Sequence, residues 1–187
     1  IAMANPKVLL FYIFLYFILG CRETDGIKHY KVPKSNHNIN KQVISTSSES
    51  NLEWVKPDSW IKYNGSSLRL LSFKVPHSSG EGDLSVMILE GDGGGLVANV
   101  NRWCKQLGLA DKTKNQIEEM SELISGSIGN YRIFELIGEA DNTNAFLCSI
   151  IPMQKKTLFV KMSIDSKGIF QVKHDFKKFC SSLNFSQ

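Results

Sequence analysis

Apolar residues are spread unevenly along the chain, and their spacing changes character twice. From Val8 to Leu19 the run is apolar apart from tyrosine hydroxyls, and it stops at Gly20-Cys21. Residues 22–50 are polar, rich in Lys, Asn, Ser and Thr, and show little apolar periodicity. From Asn51 onward, period-two alternation and helical stripes take over. Trp54 to Pro57 and Trp60 to Tyr63 open a β region, and Asn64-Gly65 predicts a tight hairpin turn. Leu71, Phe73 and Val75 alternate, as do Leu84, Val86 and Ile88 beyond a Gly/Ser loop over 77–82. Leu96, Val100, Trp103, Cys104 and Leu107 fall on one face of a helix that Gly108 stops. The polar stretch from Asp111 to Met120 has room for a short helix. Strand patterns return over 131–137, 146–151 and 158–164. Val172, Phe176, Phe179, Cys180 and Leu183 form a last helical stripe, with Asp165 or Ser166 as its N-cap.

The predicted order is three strands, a helix, three or four strands and a helix. Hairpin-like connections dominate the second half. This is the pattern of an α+β fold, a mainly antiparallel sheet of six to seven strands covered by two main helices. Residues 51–187 are one globular domain in this reading, long enough to bury a substantial core without disulfides.

The N-terminal run has a different meaning. Lys7 precedes an apolar stretch too short for a membrane-spanning helix, which needs about 20 such residues. A basic residue, a short apolar core and a small residue at the end describe a secretory signal peptide over 1–20. Ile18-Leu19-Gly20-Cys21 resembles a bacterial lipobox. That resemblance implies cleavage before Cys21, diacylglycerol on its sulfur and an acyl group on its new amine. The bland alternatives are a cleaved secretory peptide with an incidental cysteine and a short buried helix. Two or more acyl chains make a stable anchor. Residues 21–50 then form the lipidated cysteine and a flexible tether, with an r.m.s. reach of roughly 30 Å. The expected location is a bacterial cell envelope, facing the periplasm or exterior, with the outer membrane favoured by Arg22 under the enterobacterial sorting rule. His29 and His37 belong to the tether and have no cysteine partner nearby.

Charge changes this picture little. Lys and Arg number 22 against 18 Asp and Glu, a net of +4 without a long basic run, so nucleic acid is not an expected partner. Apart from Cys21 the cysteines are Cys104, Cys148 and Cys180, an odd set in apolar segments that reads as buried free thiols. One internal pair stays open.

The segment from Gly91 to Gly108, GDGGGLVANVNRWCKQLG, carries most of the remaining information. Three glycines beside a helix start call for a sharp turn, close packing or approach to a ligand. Gly93-x-Gly95-x-x-Ala98 satisfies a dinucleotide pattern formally, but no parallel strand with a terminal acidic residue follows the helix, and a P-loop lysine is missing. Asp92 is placed to cap the helix. Asn99, Arg102 and Gln106 fall away from the apolar stripe, extended by Asn101 and Lys105, either as a solvated face or as a recognition patch. This segment resembles a largely uncharacterised family of bacterial lipoproteins with the pattern G-D-x-G-G-L-x-A-N-V-N-R-W-R-x-Q-L-G, departing from it at Cys104, where the family has arginine. The element order also resembles the PsbP-like α/β/α sandwich, a resemblance that implies protein-partner binding rather than catalysis.

No G-x-S-x-G or H-E-x-x-H motif occurs, and no cysteine–histidine spacing points to zinc. His77 beside Ser78 and Ser79 is adjacency without triad geometry. The expectation is a non-catalytic, lipid-anchored envelope protein without metal or cofactor. It would bind an envelope protein through Asp92, Gly93, Gly94, Gly95, Asn99, Arg102 and Gln106. The alternatives are a small-ligand binder or enzyme with a pocket at the loop, and a purely structural envelope component.

Overall fold

The computed structural model describes residues 51–139 and 143–186; the expected signal peptide, Cys21 and the expected tether lie outside them. The elements run β1 (Leu52–Glu53), β2 (Ile61–Lys62), β3 (Leu71–His77), β4 (Gly80–Glu90), α1 (Leu96–Gln106) and α2 (Lys114–Glu119). They continue with β5 (Glu122–Gly126), β6 (Gly129–Ile137), β7 (Asn144–Pro152), β8 (Lys156–Asp165), α3 (Ile169–Ser182) and β9 (Asn184–Phe185). Seven strands form one sheet in the order β2-β3-β4-β8-β7-β6-β5, and every pair is antiparallel. β1 and β9 form a separate two-stranded ribbon. The fold is α+β, with a mainly antiparallel sheet as the periodicity predicts.

Alternation along each strand gives the sheet two different faces. Phe73, Val75, Leu84, Val86, Leu147, Val160 and Met162 point to one of them. There α3 lays down Val172, Phe176 and Phe179, and Trp60 packs its ring 5.4 Å from that of Phe179 and 6.2 Å from that of Phe73. The opposite face carries Phe134, Leu136, Phe146, Cys148, Ile150 and Phe159, covered by Val100, Trp103 and Leu107 of α1 and Ile117 of α2. Helices thus lie on both sides, and the apolar stripes read from the sequence are buried except at Ile88 and Leu96, which are half-buried. On the second face the β3–β4 half carries Ser72, Lys74, Asp83 and Ser85 at positions that alternate with core residues of the first face.

Three local expectations change. Asn64-Gly65 does not close a two-residue hairpin: Ile61 pairs with Lys74 and Lys62 with Phe73, so the connection spans 63–70. An ideal Cβ at Gly65 would lie 2.1 Å from Ser72 Oγ, so this glycine serves close packing of the loop on β3. β5 is a strand that the polar stretch before it hides. Asp165 does cap, but it accepts from the Lys167 amide at 2.9 Å and starts a 3-10 turn over Ser166–Gly168, after which α3 begins at Ile169.

Candidate functional site

The glycine loop leaves β4 and is fixed by backbone and side-chain hydrogen bonds together. The Gly91 amide donates to the Lys155 carbonyl at 2.8 Å, and Thr157 Oγ1 donates to the Gly91 carbonyl at 2.8 Å, so the loop is bound to the β7–β8 turn. Gly93 sits with φ +61°, and an ideal Cβ there would fall 2.5 Å from the Phe159 ring. Both the left-handed backbone and the close approach demand glycine. Gly95 is the N-cap of α1 with φ +83° and no side-chain cap bond. Asp92 is therefore not the helix cap. Its carboxylate accepts from the Gly94 amide at 2.9 Å and closes a turn one step earlier.

Asn99 is buried and is not part of a solvated face. It donates to the carbonyls of Gly93 at 3.0 Å and Gly95 at 2.7 Å, clamping the loop to the first turn of α1. Its own side-chain oxygen accepts from Arg102 at 3.0 Å. The face expected to be polar is also engaged elsewhere. Asn101 exchanges two hydrogen bonds with the Lys112 backbone, and Gln106 accepts from Lys161 Nζ at 2.6 Å. Lys161 stands 3.6 Å over the Phe146 ring, and its desolvation lowers its pKa from the ordinary lysine value. The structure thus brings Asp92, Gly93, Gly94, Gly95 and Asn99 together in one device. Exposed Arg102 remains at its border, and Gln106 lies two turns away.

Beside the loop opens a cleft of about 460 Å³. Its floor follows the strand register on the α1 face of the sheet. Leu123, Arg132 and Ile150 are cross-strand neighbours in one row, and that row continues to Phe159 beneath Gly93. Pro152 and Thr157 pair in the next row, reached from Asn130. Gly91, Asp92, Gly95 and Leu96 form one wall, and Met153 and Gln154 close the end. The lining is chiefly apolar. Arg132, whose guanidinium donates to Ser121 Oγ at 2.6 Å, brings a positive charge to it. A second cavity of about 550 Å³ lies on the other side of the β7–β8 turn and shares Met153 and Gln154.

Of these lining residues only the loop itself had a sequence signal. Leu123, Asn130, Arg132, Ile150, Pro152 and Met153 converge through pairing register, which residue spacing does not encode. A polar cluster on the same sheet face was also missed: Arg69 forms a two-pronged pair with Asp83 at 2.9 and 3.0 Å, and Tyr63 donates to the same carboxylate. His77 Nδ1 lies 3.0 Å from Ser79 Oγ at the β3–β4 turn, with the ring against Gly168. Among the described residues no three His, Cys, Asp or Glu side chains are grouped to hold a metal ion.

No protein-family model matches the sequence, and no curated protein matches it. Solved structures with a similar chain path include a protein of Bacteroides thetaiotaomicron VPI-5482, at 10% identity and TM-score 0.48, covering 74% of this chain. This chain spans only 46% of that protein. Cyanobacterial PsbP (CyanoP) from Synechocystis sp. PCC 6803 is similar at 18% identity and TM-score 0.46, over 73% of this chain and 93% of that one. LpqN, involved in cell envelope biogenesis of Mycobacterium tuberculosis, is similar at 10% identity and TM-score 0.45, over 73% and 83% of the two chains.

Proposed function

We propose that the protein is a non-catalytic binding module, held at a bacterial cell envelope by lipid on Cys21, that recruits a protein partner through the cleft beside the glycine loop. The observation that carries this reading is the cleft itself. It is concave, chiefly apolar, and bordered by a loop that Asn99 and Phe159 hold rigid. A pre-formed apolar recess with few polar groups suits recognition. The polar face of α1, by contrast, spends Asn99, Asn101 and Gln106 on bonds within the chain, which supports the cleft rather than the helix as the partner surface.

A photo-cross-linking amino acid placed at Met153 in the membrane-anchored protein in cells tests this. An adduct with a defined protein is expected at that position and not at Phe170, which lies at the opposite end of the sheet. Equal labelling at both positions, or none at Met153, would sink the reading. The anchor is tested separately by mass spectrometry: acylation at Cys21 is expected, and an unmodified, uncleaved N-terminus would overturn the location. A second reading, a small ligand in the same cleft, draws on its volume, which falls within the roughly 300–1,000 Å³ typical of ligand sites. Native mass spectrometry showing a bound small molecule, with no cross-linked protein, would favour it.

A further inference from the structure

Among the described residues, the outermost strand on the cleft side is β5. Its hairpin with β6 turns through Ser127 and Ile128 between the paired residues Gly126 and Gly129. The closing pair of a two-residue hairpin exchanges main-chain hydrogen bonds, and bonded and non-bonded pairs alternate from there. Gly126–Gly129, Ile124–Tyr131 and Glu122–Ile133 are therefore the bonded pairs, while Leu123–Arg132 and Ser125–Asn130 are not. It follows that the amides and carbonyls of Leu123 and Ser125 point outward from the sheet. Both residues are exposed, Leu123 at 61%. Several of the devices that protect an edge are missing from the strand. It has no proline, no lysine and no bulge, and its one charge, Glu122, is turned toward α3, where it pairs with Lys177.

This edge and the cleft belong to one surface. Leu123 ends the floor row that runs through Arg132 and Ile150, and it stands at the open side of the cleft. Resting on the reading that the cleft takes a protein partner, we propose that the partner contributes an extended peptide segment that joins the sheet as an eighth strand along Leu123–Ser125. Four main-chain groups set its register. Its side chains on the cleft side continue the floor rows, an apolar one covering Leu123 and an acidic one reaching Arg132. Alternate contacts of this kind are how added strands gain specificity. A second copy of this chain fits less well. Pairing β5 with itself would set Leu123 opposite Ser125, and the strand's acid, Glu122, would lie on the wrong face to meet Arg132.

Selection of random twelve-residue peptides by phage display on the immobilised full-length protein supplies the probe, the most enriched peptide made synthetically. Ser125→Pro removes an outward amide without breaking a bond to β6, so it keeps the fold, as circular dichroism will show. It is expected to weaken the peptide at least tenfold. N-methylation at alternate peptide positions is expected to abolish binding to the wild-type protein, and at the intervening positions to leave it within threefold. Leu96→Asp, which places an acid in the cleft at a helical first turn that tolerates one, is expected to weaken binding as well. Failure of any peptide to enrich would overturn the strand addition. Binding that survives Ser125→Pro but is lost in Leu96→Asp overturns it too, while leaving the cleft reading intact. Binding indifferent to both variants overturns both readings. A dimer in sedimentation that Ser125→Pro dissociates would assign the edge to a second copy and overturn the peptide.

Discussion

Gly93 rests directly on the ring of Phe159, so closely that a Cβ at Gly93 would fall 2.5 Å from Cε2 and 2.6 Å from Cζ. The contact joins the loop to the sheet face beneath α1, where Phe159 also meets Trp103 edge-on at 6.5 Å. Gly93→Ala must then bear a left-handed backbone, about 1–2 kcal/mol, and overpacking of about 1–3 kcal/mol. A loss of about 2–5 kcal/mol in urea unfolding is expected. Gly91 has a similar φ of +62° but nothing within 4 Å of its Cβ position, so Gly91→Ala should cost only the backbone part, about 1–2 kcal/mol. Equal losses for the two variants would show that the ring contact is unimportant. Phe159→Leu should recover part of the Gly93→Ala loss, a coupling of at least about 0.5 kcal/mol.

Asn99 makes the opposite kind of contact, polar and buried. Its amide serves the carbonyls of Gly93 and Gly95 at once. Removing it takes the side-chain donor from the partly buried Gly93 carbonyl, while the Gly95 carbonyl keeps the Asn99 backbone amide at 3.3 Å; a loss of this kind costs about 1–3 kcal/mol. Asn99→Ala is expected to lose that much in thermal or urea unfolding. Asn99→Asp should lose at least as much, because a carboxylate would face two carbonyl oxygens. Unchanged stability in Asn99→Ala would mean that the loop is held by its backbone alone.

The residues themselves explain how far the sequence could be read. Strands β3, β4 and β8 and helices α1 and α3 were legible because one side of each is buried: Leu71, Phe73 and Val75, or Val172, Phe176 and Phe179, carry the period of the element. β5 was not, because an edge strand buries little, and its exposed Leu123 looks like a stray apolar residue. Asn99 was misplaced for a related reason. Its spacing, three residues after Leu96 and four before Trp103, belongs to the buried face, but its polar side chain reads as outward-facing until the three-dimensional loop supplies the two carbonyls that make burial favourable. The cleft was invisible because its floor is assembled by register, with Leu123, Arg132 and Ile150 drawn from three strands.

The cysteines offer a direct probe of packing. Cys104, Cys148 and Cys180 are free and buried. Desolvation raises all three thiol pKa values, most strongly for Cys148 and Cys180. A thiol held neutral and covered is a poor nucleophile. In the native protein at pH 8, a thiol-specific reagent should leave these three unmodified over the time in which denaturant exposes all of them. Rapid labelling of Cys148 without unfolding would contradict the packing of the α1 face.

Acid stability should report the Arg69–Asp83 pair. Desolvation opposes the charge on Asp83, but hydrogen bonds from Arg69 and Tyr63, with the nearby Arg69 charge, outweigh it and hold the carboxyl below its ordinary range. The folded chain thus binds this proton less tightly than the unfolded chain. The stabilisation is complete above the unfolded value of about 3.9 and is lost as pH falls through the lower folded value. Arg69 keeps its charge throughout, its own pKa raised chiefly by the Asp83 bond. Asp83→Asn removes the titrating group, so wild type and variant should differ most near pH 6, and the difference should shrink progressively as pH falls below the unfolded value of about 3.9. Urea midpoints measured from pH 6 to pH 2.5 test this difference free of the other carboxylates, which titrate in both proteins. Two curves that stay parallel across that range would show that the pair contributes nothing pH-dependent to the fold.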